Sequence, residues 1–146
     1  MGGRLMFIDA SALVAVLKNE PDAPALVEAM EAARGKLRVS PIVRLEATLA
    51  IARTLRDARS AGPATAEDVQ IASNLVDDLL DAIQAQEMMI SSSMGRAAVE
   101  ALATYGNLVG HPAQLNMCDA LSYACAKSHH VPLLYKGDDF ARTDLA

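Results

Sequence analysis

Apolar and polar positions along the chain follow two rhythms, which predict strands and helices in turn. Short apolar runs without polar interruption are typical of strands buried in a parallel sheet. Longer stretches with apolar residues every three or four positions predict helices that pack on such a sheet. The short runs predict strands at residues 5–8, 37–40, 88–90 and 131–135.

Six helical segments separate or follow these strands. Asp9 is a good N-cap residue for the first helix, and Thr65 with Asp68 resembles a capping box. Gly35 is a typical stop after the second helix. The predicted helices span residues 12–17, 25–33, 42–59, 66–85, 94–104 and 118–129, and residues 106–114 form a loop.

Strands that alternate with helices predict right-handed crossovers and a parallel sheet, which is the α/β class. A length of 146 residues fits one domain over residues 1–146. Residues 1–5 are interpreted as a cloning remnant or an over-extended start. Ligands of parallel sheets bind beyond the carboxyl ends of the strands, so the residues that follow each strand are the first candidates for chemistry.

Acidic side chains stand at two of these strand ends and inside two apolar helices. Asp9 follows the first predicted strand, and Asp138 and Asp139 follow the last, whereas Glu46 and Asp119 lie in strongly apolar helical stretches. A buried carboxylate costs several kcal/mol unless a partner compensates it. Carboxylates that converge on Mg²⁺ or Mn²⁺ are compensated in this way. The pattern therefore indicates a divalent metal site.

Each of these acids also has an ordinary structural use. An acid can cap a helix, interact with a helix dipole, pair with a basic residue one or two turns away, or occupy a turn. These uses correspond in order to Asp9, Asp119, Glu46 paired with Arg53, and Asp138 with Asp139.

Composition narrows the function classes. A net charge of −5 argues against a generic nucleic-acid-binding module. The two cysteines, Cys118 and Cys125, lie seven residues apart in one predicted helix, too far for a disulfide. We expect both thiols to pack in the core, and we expect a reducing, cytoplasmic setting without a membrane span. The three histidines show no ligand spacing, and no Gly-rich phosphate loop is present.

Four segments together resemble the PIN-domain family, specifically the VapC-type toxins of bacterial toxin–antitoxin pairs. They follow the family's order across almost the whole chain, at residues 7–15, 45–47, 115–124 and 133–144. The resemblance implies a PIN-like three-layer fold, with a central, mostly parallel sheet flanked by helices. It also implies Mg²⁺-dependent cleavage of RNA phosphodiester bonds, with Mn²⁺ as a substitute.

The resemblance also implies roles for individual residues. The catalytic acids map to Asp9, Glu46, Asp119 and Asp139, although a shift of one residue would choose Asp138 as the fourth. Asp9 and Asp119 are the expected direct metal ligands, and the other acids support them. Substrate contacts are expected from Ser11, Lys136 and Arg142, with Lys18 and Arg53 as further cations near the site. Cys118 stands where the family usually has glycine, which places a thiol close to the site.

The expected partners are a VapB-like antitoxin whose tail covers the acidic site, RNA as the substrate, and a second copy of the chain in a homodimer. The apolar second and third helices are the expected dimer surface. A phosphatase is disfavoured because Ser11 replaces the second acid of its nucleophile loop. A receiver-like module is disfavoured because serines 91–93 follow the third predicted strand. A catalytically silent binding or regulatory module is the remaining alternative.

Overall fold

The computed structural model describes residues 4–59 and 62–145. The interpretation of residues 1–5 falls largely outside this range. The strands are β1 Met6–Ile8, β2 Leu37–Val39, β3 Gln86–Glu87 and β4 Leu133–Leu134. The helices are α1 Ala10–Leu17, α2 Ala23–Ala32, α3 Pro41–Ala58, α4 Ala66–Ala82, α5 Ser92–Tyr105 and α6 Met117–Ser128.

The four strands form one sheet in the order β3-β2-β1-β4, and every neighbouring pair is parallel. The first strand is central, with Met6 opposite Leu37 on one side and Phe7 opposite Leu133 on the other. This arrangement confirms the predicted α/β class and parallel sheet. It also brings the carboxyl ends of β1 and β4 side by side, since parallel strands end at the same edge.

The sheet lies between two helical layers. Successive residues of a strand face opposite sides, so Ile8 joins the core cluster that contains Leu13 of α1 and Leu37, while Phe7 joins the cluster that contains Leu115 and Phe140. All six side chains are buried almost completely. None of the helices in residues 4–59 and 62–145 is long and apolar enough to cross a membrane.

Polar caps define where the helices begin. The Thr65 hydroxyl accepts a hydrogen bond from the Asp68 amide while the Asp68 carboxylate accepts one from the Thr65 amide, so the predicted capping box is present. Ser40 caps α3 in a similar way by accepting from the amide of Val43. Each such cap supplies partners for backbone N–H groups that the first helical turn leaves free.

Two strand predictions and one helix boundary need correction. The third strand is Gln86–Glu87, not residues 88–90, because the left-handed backbone of Gln84 ends α4 at Ala82 and lets pairing with β2 start early. The apolar residues that suggested the later strand, Met88 and Ile90, pack beside the Phe7 cluster instead. Regular pairing in the fourth strand is confined to Leu133–Leu134, although the carbonyl of Pro132 just before it still accepts a bond from Phe7 of β1.

Candidate active site

A cleft of about 260 Å³ opens at the edge of the sheet where β1 and β4 end. Its acids come from four places: the residue after β1, the second turn of α3, the first turn of α6 and the loop after β4. The cleft is lined by Asp9, Ala10, Ser11, Val14, Glu46, Ala50, Asn116, Asp119, Lys136, Asp139 and Phe140. Four carboxylates that lie far apart in the sequence thus share one concave surface.

Asp9 serves the fold and the cleft with different oxygens. Its Oδ2 accepts a hydrogen bond of 3.0 Å from the amide of Ser11 and so caps α1. Its Oδ1 is buried and has no hydrogen-bond partner within the described part of the chain. An unpartnered buried carboxylate oxygen is costly, and a cation in the cleft would remove that cost. The capping alternative is therefore correct for one oxygen and leaves the other available.

Asp119 likewise has a structural bond and an unfavourable surrounding. Its Oδ2 accepts from the amide of Asn116, and the Asn116 side chain accepts from the amide of Asp119, which forms a capping box for α6. Burial raises the pKa of Asp119 to about 7, and the nearby carboxylates of Asp9 and Asp139 add to this rise, while the bond from Asn116 opposes it. The carboxyl lies in a field that favours either a proton or a metal ion.

Glu46 projects from α3 toward the same acids. Its pKa is raised to about 7, chiefly by burial and then by the charges of Asp9 and Asp119. The Cys118 thiol hydrogen-bonds with Glu46, and Arg53 exerts a weaker opposing effect on the glutamate. The predicted pairing of Glu46 with Arg53 is thus a minor influence beside the repulsion from the other acids.

The two cysteines occupy different environments. Cys125 is buried in the core as expected. Cys118 is only partly buried, so the expectation that both thiols pack in the core is wrong for this residue. Burial and the charges of Glu46 and Asp119 raise the pKa of the Cys118 thiol to about 11. The thiol is therefore close to the acids, and it is protonated at neutral pH.

The structure distinguishes the two candidate acids after β4. Both are exposed, but Asp139 lines the cleft and interacts with Asp119, whereas Asp138 does not line the cleft. The loop that carries them is tied to α1, because the amide of Lys136 donates a 3.0 Å hydrogen bond to the Ser11 hydroxyl. Ser11 thus positions the loop that brings Asp139 to the other acids.

The cations predicted to contact substrate are placed unevenly. Lys136 lines the cleft, and its ammonium group donates a 2.8 Å hydrogen bond to Glu20, a residue that the sequence reasoning did not consider. Arg53 lines a neighbouring groove that Glu46 shares. Lys18 and Arg142 are exposed and do not line the cleft.

Asn116 was also missed as a cleft residue, although its position three residues before Asp119 is a readable capping signal. His111, in contrast, acts as expected for a loop residue: its ring accepts a bond from the amide of Ala113 and packs against Tyr105.

Carboxylate oxygens are suitable ligands for a hard divalent cation, but these acids do not yet form a complete metal-binding group. Among residues 4–59 and 62–145, no three His, Cys, Asp or Glu side chains form a group that could already hold a metal ion. Like charges repel one another when no cation is between them. The buried free oxygen of Asp9 and the raised pKa values of Glu46 and Asp119 are the features that a bound Mg²⁺ or Mn²⁺ would relieve.

Known proteins are similar to this chain in sequence over nearly its whole length. The PIN domain family model matches residues 6–145. A VapC ribonuclease of Rhizobium meliloti (strain 1021) is 44% identical over 142 residues, which cover 97% of this chain and 99% of the relative. Ribonuclease VapC42 of Mycobacterium tuberculosis (strain ATCC 25618 / H37Rv) is 36% identical over 140 residues, 96% of each chain.

Solved structures share the fold at lower identity. Mycobacterium tuberculosis VapC20, described as a sarcin-ricin loop cleaving toxin, superposes with a TM-score of 0.66 at 15% identity and covers 97% of this chain and 96% of its own. VapBC2 from Rickettsia felis, solved with a DNA fragment from its promoter, gives a TM-score of 0.66 at 14% identity, with 94% and 91% covered. These likenesses support the three-layer fold.

Proposed function

The chain belongs to the PIN domain family and is similar throughout to VapC ribonucleases, and from this premise we propose that it is a toxin endoribonuclease. It hydrolyses RNA phosphodiester bonds in a reaction that depends on Mg²⁺, for which Mn²⁺ can substitute. The observation that carries the proposal is the convergence of Asp9, Glu46, Asp119 and Asp139 on one cleft, with the buried Oδ1 of Asp9 left unpartnered.

The four acids divide into two groups by their environment. Asp9 and Asp119 are almost fully buried and each has one oxygen held by a backbone amide. This fixes the orientation of both carboxylates and makes them the proposed direct metal ligands. Glu46 is partly buried and Asp139 is exposed, which suits them to hold a second ion or ordered waters. Asp138 remains outside the cleft and is not proposed as a ligand.

A bound divalent cation would supply Lewis acidity, which offsets charge on the scissile phosphate and makes water more acidic. The protein's part begins with protons. Glu46 and Asp119, with pKa values of about 7, carry protons for part of the time at neutral pH. Both carboxyls would have to give up these protons to solvent in order to hold a cation, because metal ligands must be deprotonated. The free-energy cost of the repulsion among these acids would thus be offset only when a cation occupies the cleft.

Basic residues around the cleft suit a polyanionic substrate. Lys136 lies in the cleft wall and Arg53 lines the adjoining groove. Ser11 already accepts a bond from the Lys136 amide, so we propose that it orients the loop and not the RNA. Arg142 is proposed as an outer phosphate contact because it is exposed and three residues beyond Asp139. The net charge of −5 makes local cations and the bound metal the main attraction for RNA.

We propose a VapB-like antitoxin as the partner. Two of the similar structures are of toxin–antitoxin proteins, namely a complex from Klebsiella pneumoniae and VapBC2 from Rickettsia felis. An apolar groove adjoins the acidic cleft, with Leu45 and Met117 more than half exposed at its rim and Glu46 shared with the cleft. A peptide with apolar residues and a terminal arginine would match this surface, because a guanidinium fork pairs well with clustered carboxylates.

A homodimer and a cytoplasmic location complete the proposal. Exposed apolar side chains are present on α2 at Val27 and on α3 at Leu45 and Leu49, which supports the second and third helices as a surface for a second copy. Two free cysteines suit a reducing compartment. The single-domain assignment over residues 1–146 stays a prediction.

Purified protein incubated with cellular RNA tests the activity. We expect cleavage in Mg²⁺, and we expect it to disappear with EDTA and to fall by at least about 100-fold in Asp9→Asn and Asp119→Asn, in keeping with losses seen when a catalytic group is removed. Asp138→Asn is the matched control, since it removes the same charge from an exposed neighbour of the site. Wild-type cleavage rates in both site variants would refute the assignment, and a protein that binds RNA or antitoxin without cutting would support the silent module.

A further inference from the structure

One cation in the cleft wall is directed away from the four acids. Lys136 lies in the same cleft as Asp9, Glu46, Asp119 and Asp139. Its ammonium group instead forms an ion pair of 2.8 Å with Glu20, and both side chains are about one quarter to one third exposed. The hydrogen bond to Glu20 is the main reason that the pKa of Lys136 is raised; desolvation opposes it, and the charges of Glu20 and Asp22 add smaller effects in the same direction as the hydrogen bond.

The pair joins distant parts of the chain at a defined place. Glu20 follows the end of α1 and its amide donates to the carbonyl of Ala15, so its backbone is fixed by the helix it follows. The backbone of Lys136 is fixed by its bond to the Ser11 hydroxyl. Because both backbones are held in place, the direction of the lysine side chain depends on whether the Glu20 carboxylate accepts a hydrogen bond from its ammonium group.

An ammonium group that entered the cleft would act as an internal counter-ion for the acids. It would neutralise the repulsion that a divalent cation otherwise relieves, and its positive charge would repel the incoming cation. In the structure the lysine pairs with Glu20, and a pairing with the cleft carboxylates would be the competing arrangement.

We propose that Glu20 is a positioning residue that holds Lys136 out of the carboxylate cluster and so keeps the cleft open to a divalent cation. The inference rests on the proposed metal site. Glu20 touches neither the metal nor the RNA in this arrangement, and it acts only through the lysine. Once RNA is present, the held ammonium group lies at the wall of the cleft, where a phosphate oxygen can take the place of Glu20.

Direct titration of Mn²⁺ by calorimetry, or by the loss of free Mn²⁺ signal in electron paramagnetic resonance, tests the inference without any activity assay. The full-length wild type is compared with Glu20→Gln, Lys136→Met and the double variant. We expect Glu20→Gln to raise the Kd for Mn²⁺ by about tenfold, the size typical when a group that supports metal ligands is lost. Lys136→Met alone should not weaken Mn²⁺ binding.

The double variant separates positioning from a structural effect. If the released lysine is the competitor, removing it restores the Kd of the double variant to that of Lys136→Met. If Glu20 merely supports the fold, the double variant stays as weak as Glu20→Gln, and the inference is overturned. An unchanged Kd in Glu20→Gln also overturns it.

Two controls keep the inference apart from the proposed function. Glu31→Gln removes one negative charge from α2, where Glu31 forms an exposed ion pair with Arg34, and should leave the Kd unchanged. A general loss of charge attraction would instead weaken Mn²⁺ binding in this variant as well, which would contradict the positioning role. If the wild type itself binds no Mn²⁺, the proposed metal site has failed. A wild type that binds Mn²⁺ normally beside an unaffected Glu20→Gln rejects the positioning role alone.

Discussion

Replacing Asp119 with Asn should stabilise the metal-free protein at neutral and alkaline pH, although it removes a residue of the active site. The pKa of this carboxyl is about 7 in the folded chain, raised mainly by burial from its ordinary value of 3.8. The folded state therefore binds more protons than the unfolded state between about pH 4 and pH 7. Stability contributed by this group is complete below pH 4, falls as the pH rises through this window and stays low above pH 7.

The size of the effect follows from the pKa difference. A rise of about three units at 1.36 kcal/mol per unit gives about 4 kcal/mol of destabilisation above pH 7. Asn keeps an oxygen that accepts the bond from the amide of Asn116, and the effect of that bond on the charged carboxylate is already contained in the pKa of about 7, because the bond lowers it. Asp119→Asn should thus raise the free energy of unfolding by about 4 kcal/mol at pH 8 in EDTA.

Equilibrium unfolding in urea, measured at several values between pH 4 and pH 8 in EDTA, checks this prediction. The gain should vanish near pH 4, where wild-type Asp119 is also protonated, and the exposed Asp138→Asn should show no comparable gain. Saturating Mg²⁺ should stabilise the wild type by about 2.7 kcal/mol at 100 times its Kd and leave Asp119→Asn nearly unaffected. A variant that is no more stable than wild type at pH 8, with the same dependence on pH, would refute the reasoning.

Three further predictions concern the two acids after β4, the glycines within and just after α5, and the Cys118 thiol. In a single-turnover RNA cleavage assay, the rate constant of Asp139→Asn should be lower than that of wild type by about 10²-fold or more, as expected for a lost catalytic group. The rate constant of Asp138→Asn should lie within about twofold of wild type. The reverse order would assign the fourth acid to Asp138. Gly106→Ala should lower the thermal midpoint, because its Cβ would overlap the carbonyl oxygen four residues earlier. Gly95→Ala places its Cβ in open space and should raise the free energy of unfolding by about 1 kcal/mol, because alanine favours a helix more than glycine does. Equal midpoints for both variants would contradict this. Burial and nearby acids raise the pKa of the Cys118 thiol from 9.0 to about 11. This thiol should therefore react with iodoacetamide about 100-fold more slowly than an ordinary thiol at pH 8, as followed by mass spectrometry. Ordinary reactivity would show that the acids do not act on the thiol.

The parts of the fold that depend on local signals were predictable from the sequence. Asp9 marks the end of β1 because it follows a buried apolar run, and Thr65 with Asp68 marks the start of α4 because a capping box is a local contact. The third strand was misplaced because its short segment pairs through Gln86 and Glu87, which are polar and exposed. Apolar patterning indicates burial, and here the partly buried side chains of Met88 and Ile90 pack beside the Phe7 cluster, while only the amide of Met88 continues the pairing by donating to Val39.

The site was predictable as a set of residues but not as an arrangement. Strand-end placement and burial led to the acids, whereas the choice of Asp139 over Asp138 depends on how the loop after β4 turns toward α6. The pair of Glu20 with Lys136 joins residues 116 positions apart. Such a pair leaves no local pattern, since either residue alone reads as an ordinary surface charge.

Anomalous diffraction from crystals soaked in Mn²⁺ is the most direct test of whether the four carboxylates hold the cation on which RNA cleavage depends. We predict an anomalous peak in the cleft, within coordination distance of Asp9 Oδ1 and the Asp119 carboxylate, that is absent from crystals of Asp119→Asn. A cleft without Mn²⁺ in crystals of a protein that still cleaves RNA would contradict the proposed site, as would a peak bound only by residues outside the cleft.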